Sequence, residues 1–324
     1  MKIVIPDDYQ DMVHRLACFG LLDGHEITRY RAPAADLDEL VQRLGEAEVV
    51  VSIRERVEFS RALLERLPNL RLIALVGRNS GRIDFAACTE HGIMVSTGKS
   101  NSPDAPAELT IALILASRRN VALEAERMKR GDLPCTLSHR LRGSTLGIFG
   151  LGAIGSLVAQ AGRGLGMEVL AWGRDATVVK ARAAGYAVAA SQAELFERAD
   201  VLSLHVRLTR ETRGIVGPDD LARMKPTALI VNTARAELIQ PGALVAALQD
   251  GRPGFAAVDV YENEPILDGD HPLLKLPNAL CLPHLGWAEW DNFELYFREA
   301  FEQIAAYAAG APLRLANPEV TPRR

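Results

Sequence analysis

Three glycines at fixed spacing, Gly150-x-Gly152-x-x-Gly155 in GIFGLGAIGSLVAQAGRGLG, stand where backbone groups could bind a charged ligand. An apolar, strand-like run precedes them. A helical pattern follows, with Ile154, Leu157, Val158, Ala161 and Leu165 at helical spacing. In that context Gly150 permits a tight turn and Gly152 lets the backbone approach a pyrophosphate. Gly155 lets helix and strand pack closely. The phosphates would sit at the positive end of the helix, against Ala153 and Ile154. Without a ligand, the same pattern is a helix packed closely on a sheet.

About twenty residues after the glycines, the apolar run MEVLAW leads into AWGRD, residues 171–175. A chain that holds NAD usually places an Asp or Glu here, on a ribose hydroxyl. This chain places Gly173 and Arg174. The missing carboxylate removes a group that would repel a 2′-phosphate. Gly173 leaves room, and Arg174 offers a forked cation. That reading favours NADPH; the alternative is NAD with Arg174 on the surface.

Three later apolar runs end in polar residues. IVNTARAEL carries Arg235, AAVDVYENEP carries Asp259 and Glu264, and CLPHLGW carries His284. Ligands of open parallel sheets bind beyond the carboxyl ends of the strands, so these residues are expected to face one crevice. A single His after a strand is more often structural than catalytic. Occurrence of all three behind a well-formed glycine turn is what raises the catalytic reading.

The elements that must position these residues alternate almost throughout. Strands are expected at 2–5, 26–30, 48–53, 71–76 and 92–96, then at 145–150, 167–172, 200–205, 228–232, 254–260 and 278–283. Helical patterns such as FSRALLERL fall between them. This alternation means βαβ units and mostly parallel sheets. PAELTIALILASRRN and the 286–310 segment read as two long helices bracketing the second half. They suggest one domain inserted in another, with the chain leaving near residue 100 and returning near 286.

The chain has 324 residues, 48% hydrophobic and 24% charged, enough for two domains with real cores. A net charge of −4 argues against nucleic-acid binding by bulk charge. MKIVIPDDYQ lacks the form of a signal peptide, and no run is long enough for a membrane span, which points to the cytoplasm. Cys18, Cys88, Cys135 and Cys281 lie far apart, so reduced, buried thiols are expected, with no disulfide framework and no metal.

The order GLGAIG, NTARAEL, DVYENEP, PHLGW resembles the D-isomer-specific 2-hydroxyacid dehydrogenases over nearly the whole chain. The resemblance is to their short form, without a C-terminal regulatory domain. It implies an α/β fold of two parallel-sheet domains: a flavodoxin-like substrate domain, 1–98 with 287–324, and an inserted Rossmann NAD(P)-binding domain, 99–286. It also implies a catalytic triad of Arg235, Glu264 and His284. Arg235 would hold the carboxylate and keto oxygens of a 2-oxoacid, and His284 would exchange a proton with the keto oxygen. Glu264 would bond the other imidazole nitrogen and favour the imidazolium.

The same resemblance assigns cofactor contacts to Asp259, on the nicotinamide carboxamide, and to His205, Val206, Thr212, Thr233, Ala234 and Gly286. Two departures touch loops: Arg207 stands where the family usually has Pro, and Ala236 where a Gly commonly follows the catalytic Arg. Substrate contacts would come from VGRNSGRID, through Gly77, Arg78 and Asn79, and from Arg54 in SIRERVEF. If two of Arg54, Arg78 and Arg82 face inward, the substrate carries charge or polar groups beyond one carboxylate. Trp287 would narrow the pocket or stack on a planar substrate.

The expected function is NAD(P)-dependent reduction of a small 2-oxoacid, glyoxylate or hydroxypyruvate, by a homodimer. The segment 118–135 would be the arm that reaches across. Oxidation of a phosphorylated hydroxyacid, as in phosphoglycerate dehydrogenase, is the alternative within the same chemistry. Formate or phosphite oxidation is a third. A nucleotide-sensing, corepressor-like binding protein is the alternative from another class, against which the lack of a long disordered extension weighs.

Overall fold

The computed structural model of the chain describes residues 1–54, 56–78, 82–267 and 269–322. The first elements are β1 (Lys2–Ile5), β2 (Glu26–Arg29), α1 (Leu37–Leu44), β3 (Val49–Ile53), α2 (Arg61–Leu64), β4 (Leu72–Val76), α3 (Phe85–Glu90) and β5 (Met94–Ser96). Next come α4 (Asp104–Arg118), α5 (Val121–Lys129), β6 (Thr145–Phe149), α6 (Ala153–Gly164), β7 (Glu168–Trp172), α7 (Asp175–Ala183), β8 (Ala187–Val188) and α8 (Gln192–Arg198). The chain continues through β9 (Val201–Leu204), α9 (Pro218–Arg223), β10 (Leu229–Asn232), α10 (Ala243–Gln249), β11 (Phe255–Val258) and β12 (Ala279–Cys281) to α11 (Trp290–Ala308). These fall into two compact units, Met1–Ser102 with Glu289–Arg324, and Pro103–Ala288.

The first unit holds a five-stranded sheet in the order β2-β1-β3-β4-β5, with every pairing parallel. β3 (VVVSI) and β4 (LIALV) are buried along their whole length, in register from Val49↔Leu72 to Ile53↔Val76. A parallel strand covered on both faces has no solvent side, which is why these sequences run apolar without alternating. α11 packs on β4 and on the 17–22 segment and buries Phe293, Tyr296, Phe297, Ala300, Phe301 and Ile304, apolar residues three and four apart. Glu289 caps this helix, accepting from the amides of Asp291 and Asn292 at 2.9 and 3.0 Å.

The second unit holds a seven-stranded parallel sheet, β12-β11-β10-β9-β6-β7-β8. Strand order reverses between β6 and β9. A doubly wound sheet opens a binding crevice at such a switch point, beyond the carboxyl ends of its strands. The glycine turn follows β6, and His205 and Val206 follow β9, so both lie at the switch.

Four details differ from the sequence reading. The buried stripe of α6 is Gly155, Val158, Ala159 and Gly162, while Leu165 is exposed. Small residues set that face because a Cβ on Gly162 would lie 2.3 Å from Leu146 Cδ2. FSRALLERL gives only one helical turn, Arg61–Leu64, since the residue before Pro68 is driven out of the helical region. The edge strand β8, two residues long, is too short to leave a periodic signal. Cys18 and Cys88 are buried, but Cys135 is exposed and Cys281 is half-buried. Among the described residues, no helix is long and apolar enough to cross a membrane.

Candidate active site

The three glycines of the turn have three different environments. Gly150 has a φ of 97°, and a Cβ there would lie 2.8 Å from Val206 Cγ1. A Cβ on Gly155 would lie 2.2 Å from the Gly150 carbonyl oxygen. These two glycines are required by the protein itself. Around Gly152, a Cβ would meet nothing within 4 Å. Gly152 is the N-cap of α6, whose first amides have no partner within the helix. Gly152 and Ala153 are exposed and Ile154 is half-buried. Space beside a helix N-terminus, kept clear at a position where the fold does not require glycine, fits the pyrophosphate of a dinucleotide.

AWGRD sits at the end of β7. A Cβ on Gly173 would lie 2.8 Å from Thr177 Oγ1, so packing within the chain already requires this glycine. Arg174 occupies the N-cap position of α7 and is exposed.

Across the switch point, the His205 amide donates to the Phe149 carbonyl at 2.8 Å, tying the end of β9 to β6. His205 Nε2 is 2.8 Å from Oγ of the buried Ser203. Burial pushes this imidazole down to about 4, which keeps it neutral. The Thr212 hydroxyl is committed to its own loop, donating to the Arg207 carbonyl at 2.7 Å and accepting from the Thr209 amide at 2.8 Å.

β10, β11 and β12 are adjacent, and each delivers a polar residue just past its carboxyl end. After β10, Asn232 is buried. Its Oδ1 accepts from the Ala234 amide at 3.1 Å and its Nδ2 donates to the Arg235 carbonyl at 2.9 Å. This Asx-type turn fixes the backbone that carries Arg235. Thr233 Oγ1 is 2.7 Å from Thr110 Oγ1 on α4. Thr110 spends its proton on the Pro106 carbonyl at 2.7 Å, so Thr233 is the donor between them.

After β11, Asp259 is fully buried and accepts from the Leu285 and Gly286 amides, both at 2.7 Å. Burial pushes its carboxyl up to about 6, while those amides and the nearby His284 pull the other way. The two hydrogen bonds tie the chain after β12 to β11, and His284 stands immediately before them.

His284 Nδ1 lies 2.5 Å from Glu264 Oε2. The other Glu264 oxygen, Oε1, accepts from the Tyr261 amide at 2.8 Å, so the carboxylate is oriented by its own loop. His284 adopts a φ of 54°, a left-handed conformation that costs energy for a residue with a side chain. The pair keeps 21% and 26% side-chain exposure. A carboxylate on Nδ1 fixes the tautomer and leaves Nε2 as the ring nitrogen for proton exchange.

In the five-stranded unit, Gly77 has a φ of 105°, and a Cβ there would lie 3.1 Å from Arg54 Nη1. Arg54 therefore packs over the turn after β4, itself held at a φ of 54°. Arg78 is exposed, and Arg82 Nη2 lies 3.8 Å from Glu58. Asn79 lies outside the described residues. Trp287 is buried at 7% exposure.

Asp8, Asp11 and His14 offer ligand atoms within 4.8 Å of one another. Arg29 bonds both carboxylates, at 2.6 and 2.7 Å, and Asp8 also caps the amides of Met12 and Val13. This is an ion-pair cluster whose two carboxylates are balanced by Arg29 and Arg31.

Asn232 and Thr110, which position the turn after β10, escaped the sequence reading. The Asn at a strand end in IVNTAR was the available signal for the first; for Thr110 there was none.

Residues 111–286 match the model of the D-isomer specific 2-hydroxyacid dehydrogenase NAD binding domain. The chain is 36% identical over 306 residues to glyoxylate reductase of Aeropyrum pernix, covering 90% of this chain and 89% of that one. It is 38% identical over 253 residues to D-3-phosphoglycerate dehydrogenase of Methanocaldococcus jannaschii, covering 77% of this chain but only 47% of that protein. The crystal structure of phosphoglycerate oxidoreductase from Vibrio cholerae superposes with a TM-score of 0.93 at 47% identity, covering 96% of this chain and 100% of that one.

Proposed function

The chain belongs to the D-isomer-specific 2-hydroxyacid dehydrogenases, oxidoreductases that act on a CH–OH group with a nicotinamide cofactor, and on that premise we propose that it reduces a small 2-oxoacid of the glyoxylate or hydroxypyruvate kind. The observation that carries this reading is the contact between His284 Nδ1 and Glu264 Oε2 at 2.5 Å, just past the end of β12.

In this reading the nicotinamide, when bound, supplies the hydride that reaches the keto carbon. Arg235 binds the substrate carboxylate and polarises the keto oxygen. His284 gives the Nε2 proton to that oxygen, and Glu264 holds the ring in place through Nδ1. Run backwards, His284 takes the proton from the hydroxyl. Asp259 holds the Leu285–Gly286 backbone and, with Thr233, orients the nicotinamide end. Gly77 and Arg54 contact the substrate. Gly173 and Arg174, rather than a carboxylate, at the first two positions after β7, with Arg174 exposed, support a preference for NADPH.

Buried hydrophobic residues are absent from α5, and Val121, Leu123, Met128, Leu133 and Leu137 are all exposed on α5 and the segment after it. This supports a homodimer in which the 118–135 segment lies against a second copy. Sedimentation of Leu133→Asp against the wild type tests it, with loss of the dimer expected.

Oxidation of a phosphorylated hydroxyacid stays as the second reading, because Arg54 packed over Gly77 offers a cation beside the turn after β4. A panel of glyoxylate, hydroxypyruvate, pyruvate and 3-phosphohydroxypyruvate with NADPH decides. Highest kcat/KM on an unphosphorylated acid supports the first reading. A preference for the phosphorylated acid that Arg54→Ala abolishes supports the second, and no turnover of any sinks both.

A further inference from the structure

Arg118, the last residue of α4, is only 6% exposed. Nη1 donates to the Thr227 carbonyl at 2.7 Å. The acid whose charge reaches it is Asp200. That carboxylate is already committed, to Lys225 Nζ at 2.7 Å and the Thr145 amide at 2.8 Å. Among the described residues, no carboxylate hydrogen-bonds Arg118, and its Nε is buried without a partner. The negative end of α4 and one carbonyl offset part of the cost of this buried charge. They leave the Nε–Nη2 edge, the side of a guanidinium that takes a planar oxyanion through two parallel bonds.

Arg118 lines a small hollow that is open to solvent. Ser117, Arg118, Asn120, Leu137, His139 and Phe255 line it. Ser117 Oγ, on the preceding residue, is also buried without a partner. The His139 amide, bonded to the Arg118 carbonyl at 3.1 Å, closes the wall, and its ring stands edge-on to Phe255 at 6.4 Å. Thr227 precedes β10 and Phe255 begins β11, so the hollow lies at the amino ends of the strands. Arg235, Asp259 and His284 follow the carboxyl ends, with four-residue strands of about 13 Å between. This is a different site from the candidate active site.

We propose that Arg118 and Ser117 form a binding site for a small carboxylate at the amino end of the seven-stranded sheet. The guanidinium edge takes both carboxylate oxygens and the Ser117 hydroxyl donates a third bond. Phe255 and Leu137 cover the apolar part of the ligand. The carboxylate comes from a free small acid.

The test is thermal unfolding of the whole chain in sodium acetate against sodium chloride at equal pH and ionic strength. Wild type, Ser117→Ala and Arg118→Gln are compared. A midpoint in wild type that rises with acetate but not chloride is expected. The apparent acetate Kd should weaken at least about fivefold in Ser117→Ala, and the effect should vanish in Arg118→Gln. Ser117→Ala keeps the charge and decides the matter if Arg118→Gln does not fold. Sedimentation in the same buffers checks the source: constant mass is expected, and a drop in mass with acetate, which would mean that an Asp or Glu of a second copy holds the site, overturns the proposal. Equal midpoints in both salts, or the same acetate gain in wild type and Ser117→Ala, overturns the proposal.

Discussion

The Asn232 side chain donates from Nδ2 to the Arg235 carbonyl at 2.9 Å, so the residue that ends β10 holds the one expected to bind substrate. Its Oδ1 takes the Ala234 amide, and the side chain is buried, so both bonds are only partly open to competing water. Asn232→Ala leaves two backbone groups without these partners and loosens the turn. Misplacing a substrate-positioning group by an ångström costs on the order of 10²-fold. We expect kcat/KM for a 2-oxoacid to fall between about 10- and 100-fold, with nucleotide affinity changed less than about twofold. Steady-state kinetics with a parallel fluorescence titration of NADPH checks this; an unchanged kcat/KM would show that Arg235 is placed without Asn232.

Replacing His284 by Gln removes the group that exchanges the proton while keeping a polar side chain of similar reach. Turnover should drop by roughly 10²–10⁴, with nucleotide affinity nearly intact. Glu264→Gln leaves the imidazole with a neutral partner and should lower kcat more than it raises KM. If His284→Gln retains most of the wild-type turnover, His284 is not the proton donor.

Legibility in the sequence followed the range of the interaction. Gly155 could be read because its demand, the Gly150 carbonyl, arises within six residues, and Gly150 because its turn needs a φ of 97°, although Val206 from another strand end also crowds it. The strands could be read because burial on both faces leaves long apolar runs, as in β3 and β4. Asn232 had a local signal, since its partners lie two and three residues on in IVNTAR, and it was passed over. Thr110 had none, because its partner Thr233 is 123 residues away and only the tertiary fold brings the two together. The buried face of α6 runs through Gly162, where Leu146 of β6 leaves no room for a Cβ, and Leu165 stays exposed. The left-handed backbone of Arg54 and His284 also escaped notice, since neither residue type announces it.

Gly152 and Gly155 should separate ligand binding from folding. Gly155→Ala places a methyl 2.2 Å from a carbonyl oxygen and should destabilise the chain by about 3 kcal/mol or more. Gly152→Ala meets nothing in the protein, so its unfolding midpoint should match the wild type. NADPH affinity should nonetheless fall at least about tenfold, because the methyl fills space beside the α6 N-terminus. Thermal unfolding and fluorescence titration of the two variants give the answer. Wild-type NADPH affinity in Gly152→Ala would mean the pyrophosphate does not pass there.

Arg174 should distinguish the two nucleotides. Wild-type protein is expected to bind NADPH more tightly than NADH, and Arg174→Ala should weaken NADPH about tenfold or more while leaving NADH nearly unchanged. Nicotinamide fluorescence measures both affinities. Tighter binding of NADH by the wild type would make Arg174 a surface residue and move NAD-linked oxidation of a hydroxyacid forward.

His205 should make stability depend on acidity. Its imidazole sits at about 4 in the folded chain against 6.5 ordinarily, so between those values the unfolded chain binds the proton and the native one does not. The stabilising contribution is complete above about pH 6.5 and is lost as pH falls toward 4, by roughly 3 kcal/mol in all. Asp259 acts in the opposite sense. Its carboxyl rises from 3.8 to about 6, so its contribution is present below about pH 4 and is lost as pH rises through 6. His205→Gln keeps a polar partner for Ser203 and removes only the first effect. The difference in unfolding free energy between wild type and variant, from urea midpoints at several pH values, should fall steadily from pH 6.5 to 4. Parallel curves for the two proteins would mean that His205 takes up its proton without unfolding.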